Sequence, residues 1–359
     1  MDGPPITAKD DPPITGLKIR HVRAKVLLTS SFAVLALSIG AAAQLQKDAT
    51  AIDKSNPYSG AIAKGVDYLK VEVPKWKAEH PCYSCHNNGD ATRALLVAAS
   101  KGYDIGTSLD DTLAFLKQPS RWDQNKAPSG FDDKTLAKIQ FASALAVAER
   151  HGKAASTDLD AAAKLLVAEQ QPDGSWQLDS SQSLGSPATY GTIIATWSAR
   201  SSLIASGMQP DNFTIVQADK WIRGLTPENV LDASATILAL ELSSDVMAEN
   251  LRRSCLSILR NGQSPAGGWG PYVTAAPQVF DTAMAVLALS ALEVEPRLAR
   301  SAYRAEELKE AIANGKKYIV SEQKADGSWP ETTRPANQES YAQRISTAGW
   351  AMLALLAGS

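Results

Sequence analysis

Cys82, Cys85 and His86 form a C-x-x-C-H pattern within residues 80–90, and their spacing lets them act on one cofactor. The pattern is typical of haem c attachment: the two cysteines can add to the two vinyl groups of one haem, and the adjacent histidine can reach the iron as an axial ligand. Three other interpretations stay open: a Cys82–Cys85 disulfide, a reactive dithiol and a zinc site. We expect haem c, covalently bound, as the cofactor.

Two residues are candidates for the sixth ligand of such a haem iron, on the side of the haem opposite His86. His80 is close in sequence, and Met284 lies one turn inside a predicted apolar helix, where an ordinary core position is the alternative. Without either ligand the iron would have an open or water-bound position, which favours chemistry on a bound molecule over simple electron transfer. The third cysteine, Cys255, lies in a helical pattern and is expected to be a small buried residue.

Three aspartates, Asp90, Asp232 and Asp281, stand at matching starts of predicted apolar helices. If these carboxylates face a central cavity, they are candidate catalytic residues, as general acids or cation stabilisers. The structural alternative is helix N-capping, because Asp accepts hydrogen bonds from free backbone N–H groups. Four loop residues are candidates to line the same site: Tyr190, Tyr272, Arg334 and Tyr341.

A sequence repeat with a fixed spacing predicts the helices that position these residues. An apolar residue is followed after three residues by Gln and after three more by Gly-x-Trp, and the strong copies carry Gln170 and Trp176, Gln263 and Trp269, and Gln323 and Trp329. Weaker copies include one that Trp122 marks. Each first helix is amphipathic and each second helix is apolar nearly all round, so stacked pairs bury a continuous core. The pattern predicts an all-α (α/α)6 toroid of six hairpins: 59–102, 107–152, 158–207, 213–243, 246–295 and 301–357.

The segment from Gly315 to Trp329 resembles the QW repeat of squalene–hopene cyclases and related terpenoid cyclases, and prenyltransferase β subunits share the same ring. The resemblance implies that the repeat Gln and Trp residues cap helix ends and stack between neighbouring repeats. It also implies an apolar, isoprenoid-like ligand. The sequence has no D-x-D-D acid motif of class II cyclases, since Asp110-Asp111 and Asp132-Asp133 are only pairs. We expect a single ring, without the second helical domain of triterpene cyclases.

The N-terminus has the pattern of a targeting segment. Four basic residues between 18 and 25 precede an apolar run from Val26 to Ala43 that ends in three alanines. These features predict a signal peptide over 1–43, including a disordered extension, with cleavage after Ala43, and an uncleaved membrane anchor is the alternative. A linker over 44–58 then leads to the toroid at 59–359, which we expect to be periplasmic or secreted.

The overall charge gives no indication of some classes of partner. The net charge of −2 does not suggest a nucleic-acid partner or an anionic membrane surface. The leading hypothesis is an exported toroid that binds an apolar, isoprenoid-like molecule and carries haem for redox chemistry or for electron transfer to a partner protein. The alternatives are a non-catalytic binding or scaffold toroid with a Cys82–Cys85 disulfide, and an enzyme of the terpene cyclase or prenyltransferase type.

Overall fold

The structure, a computed structural model, describes residues 56–126, 133–179, 183–241 and 243–358. The predicted targeting segment 1–43, the linker up to residue 55 and Asp132 lie outside these ranges. The linker was expected to end at 58, and the first helix begins at Ser59.

Twelve α-helices in the described ranges alternate between an outer and an inner layer. The outer helices are α1 Ser59–Glu79, α3 Asp110–Leu116, α5 Ser156–Glu169, α7 Phe213–Arg223, α9 Val246–Gly262 and α11 Ala305–Ser321. The inner helices are α2 Thr92–Ser100, α4 Lys134–Arg150, α6 Thr192–Ala205, α8 Val230–Leu240, α10 Val279–Ala291 and α12 Tyr341–Leu356. A π-helix, His86–Ala91, leads into α2, and 3-10 helices span Pro119–Gln124 and Pro296–Ala299.

The inner helices form a closed ring. Each contacts the next along the chain, and α12 returns to contact both α2 and the π-helix. The predicted all-α toroid of six hairpins is therefore confirmed. Within the described ranges, no helix combines the length and the apolar character needed to cross a membrane.

The two layers differ in burial as their patterns predict. Inner helix α4 buries every residue from Ile139 to Ala148. Outer helix α9 buries residues three or four positions apart, among them Cys255, Leu256 and Leu259, and presents its other face to water. A helix with one apolar stripe suits the rim of the ring, whereas a helix that is apolar all round is stable only between neighbours.

The repeat tryptophans stabilise the ends of the outer helices. The indole Nε1 of Trp329 donates to the carbonyl of Ile319 at 2.8 Å, in the last turn of α11. Trp176 and Trp269 make the same bond to the carbonyls of Leu166 and Leu259, at 2.8 and 2.7 Å. Each indole thus satisfies a carbonyl that has no partner within its own helix.

The repeat glutamines join neighbouring repeats. Gln323 Nε2 donates to the carbonyl of Gly327 in its own loop, at 3.1 Å, and to the carbonyl of Ala61 in α1, at 2.9 Å. Gln170 and Gln263 make the equivalent pairs of bonds, each reaching the next outer helix. Because α1 belongs to the first repeat, the Gln323 bonds close the ring.

Aromatic side chains meet inside the ring. The ring centroid of Trp350 in α12 lies 5.8 Å from that of Tyr190, 6.1 Å from Trp197 in α6 and 5.9 Å from Phe280 in α10. The guanidinium of Arg93 in α2 lies 4.3 Å from the centroid of Trp350. The interior of the toroid is therefore aromatic, with one cation stacked on its largest ring.

Candidate functional site

A cavity of about 270 Å³ lies at the mouth of the ring, the end where the inner helices begin. Cys82, Cys85 and His86 line it together, so the structure brings the three residues of the C-x-x-C-H pattern to one space. The wall opposite them comes from the 3-10 helix Pro119–Gln124 and from the first turns of α4 and α12. Most of the large side chains that line the cavity as a whole are aromatic: Trp76, Tyr83, Trp122, Phe141 and Tyr341.

The loop between the two cysteines is fixed by a reciprocal pair of hydrogen bonds. The backbone N–H of Tyr83 donates to Oδ1 of Asn125 at 2.8 Å, and Nδ2 of Asn125 donates to the carbonyl of Tyr83 at 2.8 Å. The Tyr83 ring stacks on Phe115, with centroids 3.9 Å apart. Both backbone groups of a residue between the thiols are therefore satisfied, which holds the loop in one conformation.

The π-helix that carries His86 is anchored on three sides. Nδ2 of Asn87 donates to the carbonyl of Glu72 at 2.8 Å and to the hydroxyl of Tyr341 at 2.9 Å. Nδ2 of Asn88 donates to Oγ1 of Thr112 at 2.7 Å. π-Turns within helices are frequent at functional sites because they re-aim one side chain, and here they place the imidazole at the cavity.

A short relay sets the tautomer of His86. Its Nδ1 lies 3.0 Å from Oγ of Ser346 in α12, and Ser346 donates its hydroxyl to the carboxylate of Asp90. With Asp90 ionised and accepting the one proton of the Ser346 hydroxyl, Ser346 accepts a hydrogen bond from His86, and Nδ1 then carries the imidazole proton. The lone pair then lies on Nε2, the nitrogen free to bind a metal, and metal-binding histidines are commonly oriented by such a bond from the other nitrogen.

Burial keeps His86 and Cys85 uncharged. It lowers the pKa of His86 to about 4 and raises the pKa of the Cys85 thiol above its usual range. At neutral pH the imidazole is therefore neutral, as a metal ligand must be, and the Cys85 thiol is protonated and a poor nucleophile in the folded chain. All three cysteines are free thiols in the structure.

The stability of the haem-free protein should depend on His86. The folded pKa of about 4 lies below the usual 6.5, so unfolding takes up a proton in this window. Stability is fully present above pH 6.5, falls as the pH drops towards 4, and levels off below 4, with a loss of roughly 2–3 kcal/mol. Urea unfolding between pH 7.5 and 4 measures this contribution as the difference between wild type and His86→Gln, because other titrating groups are common to both proteins. Parallel curves for the two proteins would contradict it.

None of the three candidate aspartates caps a helix, so the N-cap alternative is wrong. Asp90 lies inside the π-helix, and Asn229 rather than Asp232 caps α8. Asp281 lies in the first turn of α10, where its carboxylate receives two bonds from Arg334, at 2.6 and 3.0 Å. None of the three lines the cavity with the cysteines.

Asp90 is buried among polar side chains. It accepts a hydrogen bond from Nε2 of Gln140 at 2.9 Å and a short one from the Tyr190 hydroxyl, and Nη2 of Arg93 lies 3.8 Å away. Burial raises the pKa of Asp90, against the opposing effects of Arg93 and of the hydrogen bonds. The carboxylate thus links the relay at His86 to the aromatic interior around Trp350.

The candidate sixth ligands lie away from the cavity wall. His80 stacks on Trp76, with ring centroids 3.8 Å apart, and its Nδ1 lies 3.0 Å from the carbonyl of Trp76. Met284 is completely buried in the core on α10. Neither residue lines the cavity. In the described part of the chain, no three His, Cys, Asp or Glu side chains form a group that could hold a metal ion alone.

The four loop residues are dispersed. Tyr341 lines the cavity, Tyr190 bonds to Asp90 in the interior, and Tyr272 is exposed. Arg334 joins Asp281 to Gln278 and to the carbonyl of Gly185, so it fixes one loop against another.

Some solved structures have a similar fold. The chain is similar in fold to the type II terpene cyclase MstE from Scytonema. The apo enzyme has a TM-score of 0.52 and 14% sequence identity, and the match covers 83% of this chain and 97% of the enzyme. An apo variant of that enzyme has a TM-score of 0.54 and 13% sequence identity, and the match covers 83% of this chain and 96% of the variant. A second variant was solved in complex with the substrate geranylgeranyl dihydroxybenzoate. It has a TM-score of 0.52 and 14% sequence identity, and the match covers 83% of this chain and 96% of the variant. No protein-family description and no curated protein matches the sequence.

Trp122 departs from the repeat rule. The strong repeats use their indole N–H to cap an outer helix. By contrast, Nε1 of Trp122 is buried and has no partner within the described ranges, and its ring lines the cavity. Trp76 Nε1 is likewise buried and unpartnered at this wall. The sequence signal for Trp122 was its place in a weak repeat. Nothing in the sequence around Ser346 marks it as part of the site.

Proposed function

We propose that this chain is a haem c protein, with haem bound through thioether bonds to Cys82 and Cys85 and with Nε2 of His86 as an axial ligand of the iron. The observation that carries the proposal is the shared cavity: both thiols and the one imidazole that lines it face the same space, and the relay to Ser346 directs the proton to Nδ1. When bound, the haem would supply one-electron redox chemistry.

The attachment balances without an oxidant or reductant. Each S–H adds across one vinyl double bond, with the sulfur bonding to one carbon and the hydrogen to the other. Because burial makes the Cys85 thiol a poor nucleophile in the folded chain, we expect the bonds to form before the ring closes around the loop. This order agrees with the predicted signal peptide, which would deliver an unfolded chain outside the cytoplasm.

The cavity wall also suits the rest of a haem. Its aromatic residues match an apolar macrocycle, and haem has two carboxylates that need hydrogen-bond donors. The unpartnered indole N–H groups of Trp76 and Trp122 are such donors, and the ammonium groups of Lys134 and Lys138 lie at the same wall. Lys138 already forms ion pairs with Asp123 at 2.9 Å and with Glu169 at 2.6 Å. The indole N–H groups are therefore stronger candidates than Lys138 to donate hydrogen bonds to the haem carboxylates.

The second part of the proposal is an apolar, isoprenoid-like ligand. Two observations support it: the aromatic interior around Trp350, and the fold shared with a cyclase that was solved with geranylgeranyl dihydroxybenzoate. The haem would then exchange electrons with this ligand or with a redox partner protein. Asp90 remains the candidate acid, since it joins the interior to the His86 relay.

Expression of the full chain in a host with a haem c maturation system tests the cofactor. We expect a c-type pyridine haemochrome spectrum and an intact mass raised by one haem. Both should vanish in Cys82→Ala/Cys85→Ala, because no sulfur remains for a thioether bond. Cys255→Ala is the matched control and should keep the haem, since Cys255 is buried in α9 away from the cavity. Titration of the holoprotein with geranylgeraniol, followed by haem absorption, tests the ligand.

A wild-type protein without covalent haem from competent cells would contradict the cofactor proposal. If the Cys82–Cys85 disulfide then formed and reduction destabilised the fold, the scaffold alternative would take its place.

A further inference from the structure

A second cavity, of about 530 Å³, lies at the end of the toroid opposite the mouth. It is bounded by the first turns of α9 and by the 3-10 helix Pro296–Ala299, and both follow inner helices that run away from the mouth. Six of its lining residues are cationic or hydroxyl-bearing: Ser244, Arg252, Arg253, Arg297, Arg300 and Ser301. Four guanidinium groups around one space repel one another unless an anion lies between them.

Arg252 is the buried base of this cavity, with only 1% of its surface exposed. Its Nη2 donates to the carbonyls of Glu241 and Ser243, at 3.2 and 2.6 Å. Its Nε and Nη1 are buried and have no hydrogen-bond partner among the residues that the structure describes. A buried guanidinium seldom leaves two donor atoms unpaired, because each unmade bond keeps its full desolvation cost. Arg252 thus places a buried positive charge with spare donor capacity at the base of the cavity.

The nearby carboxylates Glu249 and Asp245 interact with Arg252 through their charge, but neither forms a salt bridge to it among the described residues. Glu249 lines the cavity but makes no hydrogen bond to Arg252 among the described residues. Asp245 is occupied by Arg223, at 2.9 Å, and by the backbone N–H of Ala248. Only Arg297 has an ion-pair partner, Glu295, at 2.9 Å. Arg253 and Arg300 are exposed and form no ion pair within the described ranges.

We infer that this cavity binds a phosphoryl group, supplied either by free phosphate or by the headgroup of an acidic phospholipid. Several guanidinium forks suit a tetrahedral oxyanion with three or four oxygens better than a single carboxylate, and the two serine hydroxyls add donors. Exposed apolar side chains lie within three positions of lining residues along the chain, with 73% of Val246, 60% of Met247 and 79% of Val294 accessible. These would lie against acyl chains if the phosphoryl group belongs to a lipid.

Isothermal titration with inorganic phosphate, in phosphate-free buffer, tests binding on the full chain. Arg253→Gln/Arg300→Gln should weaken it by about tenfold or more, because it removes two charged donors from an exposed rim that folding does not require. Arg150→Gln/Lys220→Gln removes the same charge at exposed positions outside the cavity and should bind as wild type does. Co-sedimentation with phosphatidylglycerol and with phosphatidylcholine vesicles forms the second arm.

The two arms identify the source. Phosphate binding without vesicle binding supports a free phosphate, whereas preference for phosphatidylglycerol vesicles that Arg253→Gln/Arg300→Gln abolishes supports a lipid headgroup. The inference is overturned if neither phosphate nor acidic vesicles bind. It is also overturned if the cavity variant binds as wild type does, or if the control variant loses binding equally.

Discussion

Trp329→Ala is expected to lower the free energy of unfolding by about 3–5 kcal/mol, the usual cost of removing a fully buried aromatic side chain. Trp329 is completely buried, and its indole Nε1 caps the last turn of α11 through the carbonyl of Ile319. Its ring also lies against Gly65 of α1, where an added Cβ would be 3.0 Å from the indole. The substitution thus removes a cap and a contact between the last and first repeats.

Urea unfolding followed by far-UV circular dichroism measures this loss. Trp329→Phe is a graded partner, since it keeps an aromatic ring but leaves the Ile319 carbonyl without its donor, and it should cost less than Trp329→Ala. Trp221→Ala is the control, because Trp221 is only partly buried on outer helix α7. Equal midpoints for Trp329→Ala and Trp221→Ala would contradict a ring-closing role for Trp329.

The repeats explain why so much of the fold could be predicted. Gln and Trp recur at fixed distances from the ends of the outer helices because each pair satisfies the same carbonyls in each copy. Hairpin boundaries follow from this spacing, since a Gly-x-Trp loop ends one helix and precedes the next. The closure of α12 on α2 follows from the number of repeats rather than from any single residue.

The site could be predicted only where its residues are adjacent in sequence. Cys82, Cys85 and His86 are neighbours, so their pattern is visible. Ser346 is 260 positions from His86 and meets it only because the ring closes. The π-helix is also invisible in the sequence, and it is the reason that Asp90 turns towards Tyr190 instead of capping α2. A periodic sequence pattern does not reveal contacts between distant residues or local changes of helix type.

In the haem c protein that we propose, His86→Ala is expected to change the visible spectrum of the haem completely, while the mass of the covalently bound haem stays. His86 is the one histidine lining the cavity in the described residues, so its removal takes away the nitrogen ligand but neither thioether bond. Ser346→Ala leaves the imidazole in place and removes only the partner of Nδ1, so we expect a smaller spectral change.

Free imidazole distinguishes ligand loss from a general disturbance of the cavity. It should bind to His86→Ala and restore a spectrum like that of wild type, because the substitution opens space for a ring of the same size at the same wall. Wild type and Ser346→Ala should respond far less, since their own imidazole occupies that position. If His86→Ala keeps the wild-type spectrum and ignores imidazole, His86 is not the ligand, and the thioether bonds alone would hold the haem in this ring.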